Sequence, residues 1–115
     1  MNNILIIEEA IKLRKPISFN YIDEDKDPGT RLGNPHIIYY KNSQRKEDEI
    51  KVDVYQITGV SDAVLRGKDV LPSWRPFFVT KMTNLVMRDD LPSFLEAGGY
   101  NANSSPRYDY YIEKI

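Results

Sequence analysis

Residues 50 to 60, IKVDVYQITGV, alternate without a break. Ile50, Val52 and Val54 fall on one side, and Gln56 and Thr58 continue it. Lys51, Asp53, Tyr55 and Ile57 fall on the other. Successive side chains of a strand point to opposite faces, so this run commits the chain to β structure. The polarity of the two faces exchanges midway. A strand does this where it carries a bulge or passes between two packing environments.

The flanking segments extend the same plan. Residues 3 to about 14 predict a short helix, because Ile4, Ile7, Ala10, Ile11 and Arg14 recur at the spacing of one helical face. Asn2 or Asn3 serves as its cap, and Pro16 lies just past its end. ISFNYI (17–22) and PHIIYY (35–40, Pro35 at its first position) read as strands, with DEDKDPG (23–29) as a turn. KNSQRKEDE (41–49) is a connection. WRPFFVT is a strand whose Pro76 implies an edge or a bulge. MTNLVMRD follows after a tight turn near Lys81. LPSFLEAGG suggests one helical turn, YNANSSPR a loop, and YDYYIEKI a final strand. One helix followed by five or six short strands in 115 residues predicts a single mainly-β domain, a small antiparallel barrel or strongly bent sheet.

Several chemistries drop out. The chain has no cysteine, which removes disulfides, thiolate zinc sites and cysteine nucleophiles. One histidine, His36, stands without a partner set for metal, and HExxH is absent. DEDKDPGTRLGN spaces its acids like a calcium loop, but Pro28 occupies the glycine position and Asn34 the bidentate glutamate position. There is no phosphate-cradling glycine loop and no GxSxG. Nothing assembles an acid, a base and an electrostatic stabiliser, so the expectation is no enzyme, metal or cofactor. No apolar run reaches membrane-spanning length, and MNNILIIEEA lacks the marks of a signal peptide, so a cytoplasmic protein is expected.

Binding remains. The net charge is −1, yet residues 66 to 88 gather Arg66, Lys68, Arg75, Lys81 and Arg88 against Asp69. Arg31, His36, Arg75 and Lys81 are cations near predicted strand ends; Tyr39, Tyr40, Tyr55, Trp74 and Phe77 are aromatics on predicted strands. Bases stack on aromatic faces and arginine forks match phosphates. The plainer reading puts most of these aromatics in the core and makes His36 a strand-start histidine. For Trp74 both readings stand, with the core favoured and Arg75 on the opposite face.

EEAIKLRKPISFNY, Arg31 followed by Pro35, VYQITGVS and WRPFFVTKM stand in an order that resembles the WYL-domain family, in particular its short stand-alone members with YQxxGxS followed by W[RK]xF. The resemblance runs from about Ile4 to Phe94, and the tail GGYNANSSPRYDYYIEKI is similar to the end of those proteins. It implies an Sm-like, SH3-type barrel of about five strands with a helix at its N-terminal side. It further implies a ligand-sensing module of bacterial transcription regulation or phage defence, binding single-stranded nucleic acid or nucleotides. Carried onto this chain, the family's pocket falls on Arg31, Tyr55 and Arg75, with His36, Gln56, Trp74 and Lys81 as further candidate ligand contacts. Arg31 and Arg75 are expected on neighbouring strands, converging on one anion. The Trp-Tyr-Leu triplet itself is absent, and no helix-turn-helix precedes the barrel. The expectation is thus a bare barrel that binds its ligand itself, or one that works with a protein partner or a second copy through its edges.

Overall fold

The computed structural model describes residues 2–22, 29–59 and 70–115. Its elements are α1 (Asn3–Leu13), β1 (Ile17–Tyr21), β2 (Thr30–Tyr40), β3 (Ile50–Gly59), β4 (Ser73–Phe78), β5 (Met82–Met87) and β6 (Tyr111–Lys114). Two 3-10 turns, Glu47–Glu49 and Val79–Lys81, precede β3 and β5. The expected turn at 23–29 falls largely outside the described residues, and so do Arg66, Lys68 and Asp69 of the basic stretch.

Asn2 caps α1, its side-chain oxygen accepting from the Ile4 N–H at 2.7 Å. Arg14 ends the helix in the left-handed region (φ 56°). The helix buries Ile7, Ala10 and Ile11.

The six strands form one antiparallel sheet in the order β4-β3-β2-β1-β5, with β6 added against β2. Among the described residues the sheet is not closed, and β4, β5 and β6 each pair on one side only. Pro76 is tolerated because β4 is an edge. The sheet is nevertheless bent. Phe77 of β4 meets Phe19 and Tyr21 of β1 edge to face, each at 4.9 Å, although β3 and β2 lie between those strands in the sheet. The concave face and α1 enclose the core: Ile7, Ile11, Phe19, Ile38, Val52, Val54, Phe77, Val79 and Met82 among others. Full burial of each such side chain is worth about 1.5–3 kcal/mol.

β2 is longer than PHIIYY suggests and begins at Thr30. One half pairs with β1 (Thr30 to Gly33) and the other with β6 (Ile37 to Tyr39). Pro35 therefore lies mid-strand, in the gap between β1 and β6, where its missing N–H interrupts neither ladder. Ile37, Ile38 and Tyr39 are all buried, so this part of β2 is covered on both faces. The second cover is the segment from Phe94 to Tyr110. No helical turn forms at 91–99, contrary to expectation. The segment is tied instead to other elements: the Phe94 N–H donates to the Arg14 carbonyl (2.8 Å), and the Tyr40 N–H to the Tyr110 carbonyl (2.9 Å). A local helix loses to these bonds where Pro92 and Gly98-Gly99 bracket the stretch.

Candidate functional site

Between β2 and β3 the register slips twice. Leu32 faces Thr58 and Gly33 faces Gln56, which leaves Ile57 as an extra residue on β3. Pro35 faces Val54 and Ile37 faces Asp53, which leaves His36 as an extra residue on β2. The first slip is a bulge, one of the two causes that the exchange of polarity in β3 allows. The second re-aims His36 toward the C-terminal segment. His36 Nε2 accepts the Ala97 N–H (3.0 Å), which places its proton on Nδ1, donating to the Asn34 carbonyl (2.8 Å). Its ring is packed by Trp74 (4.7 Å), Phe94 (5.1 Å) and Tyr100 (5.2 Å). Burial holds its pKa below the ordinary histidine value, outweighing the Asn34 hydrogen bond and Glu96, which pull upward. This is a neutral histidine fastening the C-terminal segment to β2.

Further along the same face, Asp53 is buried on β3. Its carboxylate accepts from the Tyr39 hydroxyl (2.7 Å), from the Tyr108 hydroxyl, and from Arg107 through Nε (3.0 Å) and Nη2 (3.1 Å). Four bonds use the acceptor capacity of a carboxylate. Burial, then the Asp53 charge, pushes Tyr39 and Tyr108 above the usual phenol range, so both stay protonated donors. Burial likewise pushes Tyr100 up to about 12. The hydrogen bond to Asp53 raises the Arg107 pKa further.

Beside this network opens a pocket of about 280 Å³, lined by Asp53, Trp74, Arg75, Pro76, Gly99, Tyr100, Arg107 and Tyr108. Trp74 and Tyr100 stack with centroids 6.1 Å apart. The indole N–H donates to the Gly98 carbonyl at 2.9 Å, which fixes the ring. The Asp53 bonds take two of Arg107's five N–H donors, and its side chain is 48% exposed. The pocket thus joins aromatic walls to two guanidinium groups, with Asp53 compensating one of them. Among the described residues, no three His, Asp or Glu side chains gather to hold a metal ion.

The seven expected ligand residues divide. Trp74 and Arg75 line the pocket; Tyr55 (5.3 Å) and His36 pack against Trp74 behind it. Trp74 is not in the core: strand alternation sends Phe77 inward and Trp74 to the opposite face. Arg75 opposes Val54 on the core side, but on the edge strand it bends back, Nη1 donating to the Trp74 carbonyl (3.3 Å). Arg31 is 3% exposed on the core face, its guanidinium over Phe77 (5.4 Å) and Tyr21 (5.9 Å). It does not line the Arg75 pocket, and β3 lies between the strands that carry the two arginines. Gln56 is buried on the core face, donating to the Thr58 carbonyl at 3.3 Å. Lys81 sits in the turn after β4, its Nζ 5.4 Å from the Phe78 ring.

Sequence reasoning missed Asp53, Tyr100, Arg107 and Tyr108. One signal for three of them was available. Four of the eight tyrosines fall within residues 100 to 111, too many large rings for a solvated loop. No family model, curated protein or solved structure matches the chain. Fold and site together define a mainly-β domain with an aromatic, arginine-bearing pocket between its sheet and its C-terminal segment.

Proposed function

We propose that the chain is a non-enzymatic binding module for single-stranded nucleic acid or a nucleotide-like ligand, held in the Trp74–Arg107 pocket. The observation that carries this reading is the pocket itself, where two arginines and three aromatic rings meet. A planar base stacks on an aromatic face, and a phosphate fits a guanidinium fork. The volume, about 280 Å³, is near the lower end for small-ligand sites. The N-terminal helix, the strand order and the bend that brings Phe77 to Phe19 support an Sm-like, SH3-type barrel, as the WYL resemblance implies. On that resemblance the setting is ligand sensing in bacterial regulation or phage defence, in the cytoplasm.

Fluorescence anisotropy with short single-stranded DNA and RNA tests the reading. Binding should weaken as salt rises, with a slope of about −0.7 per phosphate neutralised. Arg75→Ala should weaken it at least about tenfold, since a charge-assisted bond is worth about 1.5–3 kcal/mol. No binding at low salt, even at tens of micromolar protein, contradicts the nucleic-acid form of the reading. The alternative is a subunit that recruits a protein partner or a second copy, favoured by the edge strands β4, β5 and β6. Light scattering that gives a strict monomer, with no partner recovered from native lysate, counts against it.

A further inference from the structure

A second aromatic ring stands on the pocket's face of β4. The β3–β4 register runs unbroken from Tyr55 opposite Trp74 to Lys51 opposite Phe78. Trp74, Pro76 and Phe78 therefore share a face with Tyr55, Asp53 and Lys51. Phe77 is turned into the core, while Phe78 is half-buried. Two ammonium groups lie over the Phe78 ring, Lys51 at 4.9 Å and Lys81 at 5.4 Å from its centroid. Four residues of strand separate Trp74 from Phe78, about 13 Å.

The charge between the two rings is arranged along the same line. Arg75 and Arg107 line the pocket at the Trp74 end, and Lys51 and Lys81 flank the ring at the Phe78 end. Lys51 sits among like charges: burial first, then Arg107 and Lys41, lower its pKa. An anion laid across this stretch relieves that crowding. Asp53, which lies between, is already engaged by Tyr39, Tyr108 and Arg107. The acidic turn Glu47–Glu49 packs against the 79–81 turn and bounds the stripe at its far end.

We propose that Phe78, flanked by Lys51 and Lys81, is a second stacking platform, and that the ligand is a single nucleic-acid strand whose bases stack at Trp74 and at Phe78. This rests on the reading of the Trp74 pocket as a nucleotide site. A base arriving on Phe78 takes the place of the two lysine heads over the ring and leaves them beside the phosphates. Bases stacked at about 3.4 Å per nucleotide cover the distance in about four units.

The test is a length series against the full chain: thymidine monophosphate, then the di-, tetra- and octanucleotide. Affinity should rise at least about tenfold from dinucleotide to tetranucleotide and level off by the octanucleotide. Phe78→Leu keeps the apolar volume but removes the flat ring; it should abolish that rise and leave mononucleotide binding intact. Lys81→Gln should lower the salt slope for the tetranucleotide by about 0.7. A mononucleotide that binds as tightly as the octanucleotide overturns the second platform and leaves the Trp74 pocket standing. A rise with length that survives both variants does the same. If no member of the series binds, both readings fail.

Discussion

At the scale of single residues, the outer face of the sheet is held by groups whose protonation matters. His36 uses one ring nitrogen as donor and the other as acceptor, so a second proton would break the Ala97 bond. Its folded pKa is lowered, chiefly by burial. The unfolded chain therefore takes up a proton below about pH 6.5 that the folded chain refuses. Stability is complete above that value and falls until the folded imidazole also protonates. Tyr39 and Tyr108 have the opposite shift. Above about pH 10 the unfolded phenols lose protons that the folded ones keep, so stability falls again as pH rises. Urea denaturation across pH should give a plateau between about pH 7 and 9 with a decline on each side. His36 is the only histidine in the sequence, so His36→Gln should flatten the decline between about pH 6.5 and 5. An unchanged acid limb in that variant would refute the role assigned to His36.

Single elements explain how much of the fold was legible. β3 announces itself because its alternation matches its burial: Ile50, Val52, Val54 and Gln56 are all buried. α1 is legible for the same reason, with Ile7, Ala10 and Ile11 inward. β2 is harder to read. It is buried on both faces from Pro35 to Tyr39, so it carries no alternation there, and its first half, TRLGN, is paired by β1 and β3 rather than marked by apolar residues. The segment after Leu91 is illegible by pattern because side-chain and backbone bonds to distant elements, not periodicity, set its course. Gly59 shows how closely β2 and β3 approach. Its φ is +102°, and a Cβ there would lie 2.2 Å from the Thr30 carbonyl oxygen. Gly59→Ala should destabilise the domain by about 1–3 kcal/mol, read as a lower urea midpoint. A neutral effect would mean that the two strands separate there at no cost.

At the scale of the whole molecule, the bent sheet has one face closed by α1 and the other by the C-terminal segment, and the pocket lies in the second layer. Its residues come from β3, β4 and the segment around Tyr100 to Tyr108. WRPFF points to the β4 contribution because a cation beside an aromatic plane is visible in the sequence. Asp53 and Arg107 meet only through tertiary structure, so neither spacing nor composition couples them. The same geometry supplies a reporter: Trp74 is the only tryptophan, and it lines the pocket. A titration of the protein with a short single strand, followed by tryptophan fluorescence at low salt, reads the site directly. If the pocket is the binding site, the Trp74 emission changes saturably, follows the anisotropy isotherm, and shifts to at least about tenfold higher ligand concentration in Arg75→Ala. Strand binding seen by anisotropy with no change in Trp74 emission, or with the same isotherm in Arg75→Ala, would place the ligand elsewhere and contradict the proposal.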